Sequence, residues 1–144
     1  MGTGFKIKCK KCGYEREFSL GVGFLYPQVY KQTIEEINEG KFGEEYKELM
    51  QKHPDSEVDI STYIYYCPKY YKYILDQDNS LYKPTDNFYE YDTLYQWKHI
   101  CPKCGKEMIK MNDEEFLLNL EKEMFHCENC GATLNLEDTT KFWR

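Results

Sequence analysis

Two short cysteine motifs constrain this chain more than anything else in it. Residues 101–130 open with Cys101-Pro102-Lys103-Cys104-Gly105 and close with Cys127-Glu128-Asn129-Cys130-Gly131, leaving 22 residues between Cys104 and Cys127. Two cysteines three apart on a tight turn can aim both sulfurs at one point, and the glycine that follows supplies the left-handed residue the turn needs. The spacing is that of a four-cysteine metal site, slightly longer than the usual template. Two such turns facing each other place four thiolates in a tetrahedron with Zn–S bonds of about 2.3 Å and no open position for a substrate. Cys101, Cys104, Cys127 and Cys130 are therefore expected to form one closed structural site.

The rest of the chain carries a second, imperfect copy. Cys9-Lys10-Lys11-Cys12-Gly13 follows Phe5 and Ile7, whose alternation predicts a strand running into a hairpin tip. Cys67-Pro68-Lys69-Tyr70-Tyr71 repeats the first three residues of the Cys101 motif, but with tyrosine at the second cysteine and at the glycine. This motif is expected to have loosened. By position, Cys9, Cys12 and Cys67 would share a first site that lacks its fourth ligand, with Tyr70 in its place. His53, His99, His126 or an acidic group can complete it, water can fill it, or packing by Tyr63, Tyr65, Tyr70 and Tyr73 can replace the metal. A phenol is the least natural donor, since its proton leaves only near pH ~10.

Between the motifs, Gln28 to Glu39 and Phe42 to Lys52 show helical spacing, with Pro27 as a start, Gly40 as a stop and Pro54 as a terminator. They predict a helical hairpin inserted at about 27–53. Residues 61–75 are rich in β-formers. Residues 81–98 hold apolar side chains in no clean period and read as a linker, and Asn112-Asp113-Glu114-Glu115 marks a helix start that puts Phe116, Leu117, Leu120 and Met124 on one face. Ala132 to Leu136 alternate as a closing strand, and Phe142 and Trp143 are expected to dock on the core. The expected architecture is a small α+β metal-bound fold of two zinc-ribbon-like β lobes. Residues 1–80 form the lobe with the helical hairpin, 81–98 link, and 99–144 form the four-cysteine lobe with a short helix.

Composition narrows the function. Seven cysteines, an odd number, suit metal ligation under reducing conditions better than disulfides. Met1 to Lys11 lack the apolar run of a secretory leader, and no stretch approaches the ~20 apolar residues of a membrane span, so a cytoplasmic location is expected. The net charge of −6 disfavours non-specific nucleic-acid binding. Residues 1–18 run the other way, with five basic residues against two acids, whereas 31–60 hold four lysines against nine acids. No His-Glu-x-x-His helix, deaminase pattern or phosphate-binding glycine loop is present.

In their local sequence, Cys9-Lys10-Lys11-Cys12-Gly13-Tyr14 and Cys101-Pro102-Lys103-Cys104-Gly105 are similar to the two knuckles of a rubredoxin. The paired turns resemble the zinc-ribbon and rubredoxin-like group, and the whole organisation resembles uncharacterised bacterial proteins with tandem zinc ribbons. The likeness covers the knuckles and flanking strands, about half the chain, and implies metal binding without a specific activity. The expected function is a non-enzymatic, zinc-binding interaction module with a protein partner and one or two zinc ions. An iron–thiolate or thiol redox protein is the alternative, since iron shares the ligand set, and a nucleic-acid-binding ribbon is the second.

Overall fold

The computed structural model describes residues 2–21, 26–86 and 90–143. The chain divides into two compact units, one of residues 1–21, 62–76 and 98–144, the other of 22–61 and 77–97. This replaces the expected lobes 1–80 and 99–144.

The first unit is built on β1 (Gly2–Lys8) and β2 (Glu15–Gly21), an antiparallel hairpin whose tip is the Cys9 motif, as the Phe5/Ile7 alternation predicts. β3 (Glu57–Val58) belongs to the second unit, and β4 (Thr62–Cys67) and β5 (Lys72–Gln77) form the next hairpin of the first, with the Cys67 motif at its tip. After β6 (Leu81–Pro84) and β7 (Tyr91–Tyr95) of the second unit, the chain returns to the first through the Cys101 motif to β8 (Ile109–Met111), which pairs with β4. The last motif joins β9 (Phe125–His126) to β10 (Thr133–Leu134). The closing segment is not one strand. A capped 3-10 turn at Leu136–Asp138 reverses the chain into β11 (Thr139–Trp143), antiparallel to β1, so the main sheet runs β11-β1-β2-β4-β5. The side chains of Phe142 and Trp143 lie outside the described residues.

The core of this unit converges on a short helix, Asp113–Glu121, which opens with a complete capping box between Asn112 and Glu115. Its Phe116 is fully buried, with ring centroids 5.5 Å from Phe5, 5.5 Å from Phe18 and 5.1 Å from Phe125. Phe116 thus seats the helix on the one hairpin face that carries the cross-strand pair Phe5 and Phe18, and Leu120 is buried in the same cluster, while Met124 is 56% exposed. The helix has ended by then, and Glu123 at φ 56° turns the chain away from the face that Met124 was expected to continue.

The second unit contains the helical hairpin, α1 (Tyr26–Asn38) and α2 (Glu44–Lys52), which with the Asp113–Glu121 helix, α3, completes the helices of the described residues. It also contains the sheet β3-β6-β7. Residues 81–98 are therefore a core-forming ribbon and not a linker. Leu81 is fully buried, Tyr95 lies 4.9 Å and Trp97 6.4 Å from the ring of Tyr46, and Trp97 4.7 Å from Phe42. The period was hidden because the register shifts between Leu81 and Tyr82, which breaks the alternation of faces. The turn cluster at 76–80 holds a buried carboxylate: Asp78 accepts from Ser80 Oγ and Tyr82 Oη, each at 2.7 Å, and Ser80 Oγ accepts from the Trp97 amide at 2.9 Å. No helix of the described residues is long and apolar enough to cross a membrane.

Truncating the residue on which the first unit converges tests this packing. Phe116→Ala should cost about 3–5 kcal/mol, read as a lower denaturation midpoint. A loss under about 1 kcal/mol would show that α3 is not part of the core.

Candidate metal centre

Each cysteine motif is the tip of a β-ribbon, and the Cys9, Cys101 and Cys127 turns share one local structure. The first cysteine's carbonyl accepts from the glycine amide four residues on: Gly13 to Cys9 at 2.8 Å, Gly105 to Cys101 at 2.9 Å and Gly131 to Cys127 at 2.9 Å. The first cysteine's own amide reaches one residue further, to Tyr14, Lys106 or Ala132. These turns need a left-handed residue at the fifth position, and Gly13, Gly105 and Gly131 supply it at φ 78°, 72° and 77°. In the Cys67 motif Tyr71 occupies that position at φ 55°. The turn that was expected to have loosened thus keeps the left-handed residue at its fifth position, at a cost of about 1–2 kcal/mol for a non-glycine residue.

The tips meet in a different pairing from the expected one. Cys9, Cys12, Cys127 and Cys130 form one group, and Cys67, Cys101 and Cys104 another, with the sulfurs of each group all within 4.8 Å of one another. Cys101 and Cys104 do not join Cys127 and Cys130, and Cys67 does not join Cys9 and Cys12. The first knuckle pairs with the last, and the two inner knuckles pair with each other. The reason is topological, because β11 returns beside β1 and β8 pairs with β4.

Sulfur separations fit a metal. Cys9 to Cys130, Cys12 to Cys127 and Cys67 to Cys104 are each 3.6 Å. A tetrahedron with Zn–S bonds of about 2.3 Å has edges of about 3.8 Å, whereas a disulfide would bring the sulfurs to about 2.05 Å. All seven cysteines are free. In the four-cysteine group the first cysteine of each knuckle is buried, Cys9 at 2% and Cys127 at 1%, and the last, Cys12 and Cys130, is exposed.

The electrostatics of both groups call for a cation. The Asn129 side chain and the Tyr14 backbone hydrogen-bond to Cys12 and lower its thiol to about 6, while burial raises Cys127 to about 11. In the second group, hydrogen bonds led by the Cys104 backbone lower Cys101 to about 7, and burial raises Cys67. Neighbouring thiols driven apart in this way do not all ionise on their own; a divalent ion at the centre makes that possible.

Charge also orients the outer pair. Arg16 bonds to Glu128 of the last knuckle and, at 3.0 Å, to the Tyr73 carbonyl, and Lys10 reaches Glu137 at 2.8 Å. Basic residues in and just after the first knuckle, Lys10 and Arg16, thus pair with acids in and just after the last, Glu137 and Glu128. Arg16, Glu128 and Asn129 position the site, and this complementarity is the signal in the sequence that identifies the partners.

Among the described residues, no histidine or carboxylate joins the three-cysteine group. His99 stacks on Tyr65 at 3.7 Å with Nε2 3.5 Å from Asp76, His126 lies against Tyr71 at 4.3 Å with Nδ1 3.3 Å from the Gly131 carbonyl, and His53 belongs to the second unit. Comparison with known families, characterised proteins and solved structures finds no match to this chain.

Two outcomes are expected. Metal binding near pH 7.5 should release protons, because Cys127 is a thiol there and must become a thiolate. Affinity should then fall by at least about tenfold per unit as pH falls, steeply below about 6 where even Cys12 is protonated; a pH-independent affinity would exclude thiolate ligation. Glu128→Gln, which keeps the shape but removes the charge opposite Arg16, should speed metal release several-fold in a chelator competition assay, with no change expected for Glu114→Gln on the exposed start of α3.

Proposed function

We propose that this protein is a zinc-held, non-enzymatic interaction module of zinc-ribbon kind, whose structural site is Cys9, Cys12, Cys127 and Cys130. The observation that carries the reading is the approach of four sulfurs from the first and last knuckles to tetrahedral spacing. Four protein thiolates saturate a tetrahedral ion, which suits a structural role and leaves no position for substrate. Such a site contributes folding free energy directly, of order 10–16 kcal/mol in small zinc peptides. The partner we assign is a protein. The net charge is −6, and the helical hairpin exposes Glu35, Glu39, Glu44, Glu45 and Glu48, a surface that repels phosphate backbones.

Elemental analysis of freshly purified protein tests the assignment. Zinc is expected, with one equivalent lost equally on Cys9→Ser and on Cys127→Ser and retained in Cys101→Ser. Iron in place of zinc would overturn the zinc assignment in favour of a redox centre. Loss of the same metal in Cys127→Ser and Cys101→Ser, with Cys9→Ser unaffected, would overturn the nested pairing. Tight binding to DNA or RNA at 50–100 mM salt, where electrostatic binding is strong, would overturn the choice of a protein partner.

A further inference from the structure

We propose that Cys67, Cys101 and Cys104 hold a second metal ion through three thiolates and present its fourth coordination position to solvent, where a thiolate from outside the chain completes it. The inference rests on the metal-binding reading and adds to it an exchangeable ligand.

The position of the missing corner follows from the knuckles that are complete. In the four-cysteine group the buried corners come from the first cysteine of each knuckle and the exposed corners from the last. The second group repeats this, with Cys67 and Cys101 buried at 4% and 1% and Cys104 partly exposed. Because Tyr71 keeps the left-handed φ of the turn, position 70 stands where Cys12, Cys104 and Cys130 stand in theirs. The fourth corner is therefore the solvent-side one. Tyr70 does not fill it as a cysteine would, since a phenol carries its oxygen a ring's length past the point a cysteine sulfur reaches. Tyr70 is 41% exposed, with Lys69 Nζ 5.6 Å and Lys103 Nζ 5.5 Å from its ring centroid.

The same features select the ligand. Three thiolates around a divalent ion leave one negative charge, and a fourth anionic donor adds another, which Lys69 and Lys103 offset. A metal already held by sulfur favours a further soft donor. On binding, the incoming thiol gives its proton to solvent and its sulfur displaces the metal's water; no electron is transferred.

Cobalt(II) is the probe, because its visible bands report the donor set. The full chain should take up two cobalt ions. On addition of 2-mercaptoethanol, the bands of one ion should move to those of a four-thiolate site and the other should stay unchanged. Tyr70→Cys should show the four-thiolate spectrum without added thiol and lose the response, Cys67→Ser should lose the responsive ion alone, and Tyr70→Phe should match the unsubstituted chain. One cobalt held by the outer cysteines with none at the inner group would overturn the proposal and leave the structural site standing, and no cobalt at all would overturn both. A second ion indifferent to thiol, or a Tyr70→Phe spectrum that differs before thiol is added, would show that the chain supplies the fourth donor itself. Free cysteine and a cysteine-containing peptide, added in turn, separate the sources: a response to free cysteine alone identifies a small thiol, and a stronger response to the peptide identifies a protein cysteine.

Discussion

The convergence of four sulfurs from opposite ends of the chain is the constraint on which the first unit depends. Cys9 and Cys130 are 121 residues apart in sequence. A cross-link closing a loop of about 100 residues removes roughly 4.7 kcal/mol of chain entropy from the unfolded state. A metal shared by the outer knuckles would do the same work, tying the turn that joins β1 to β2 to the turn that joins β9 to β10. The inner pair of knuckles lies within this closure, so the cysteine groups are nested. Every ribbon in the unit ends in a sulfur-bearing turn or pairs with one that does.

The second unit reaches a core by another route. It is assembled from two insertions, 22–61 and 77–97, which meet when β3 pairs with β6 through Glu57 with Tyr82 and Val58 with Leu81. Ring packing among Phe42, Tyr46, Tyr95 and Trp97 supplies what thiolates supply elsewhere. The Tyr46 hydroxyl, at the centre, donates to the Asn79 carbonyl at 2.6 Å, so that even this buried polar atom is satisfied. A chain poor in aliphatic residues and rich in tyrosine can build a core this way provided its hydroxyls find partners, as those of Tyr46 and Tyr82 do.

What could be read in the sequence was local. The knuckle at Cys9, the helices near 27–53 and the capped start of α3 each depend on residues a few positions apart, and each is present. What could not be read was long-range. Nearness in sequence argued for joining Cys101 with Cys127, but sheet pairing decided otherwise, and β11, the strand that draws the ends together, carries Thr139, Thr140 and Lys141, with no apolar alternation to announce it. The opposed charges of Lys10 and Glu137 and of Arg16 and Glu128 were the available clue. In the same way, Leu81 and Tyr82 concealed a buried ribbon because a register shift between them scrambles the faces.

Tyr71 links the two sulfur groups. A left-handed tyrosine is costly and persists only where its surroundings hold it. Here its ring packs on His126 at 4.3 Å, and its Cε2 lies 3.8 Å from where a Cβ would stand on Gly131. His126 and Gly131 bracket the last knuckle, while Tyr71 closes the Cys67 knuckle, so the residue that preserves the inner turn also braces the outer site. Tyr73, two residues on, does the same with its hydroxyl, which donates to the His126 carbonyl at 2.9 Å. The inner turn therefore has a structural reason to keep its shape even though it has lost both a cysteine and a glycine. That shape holds the Cys67 knuckle beside the four-cysteine group that joins the first and last ribbons of the unit.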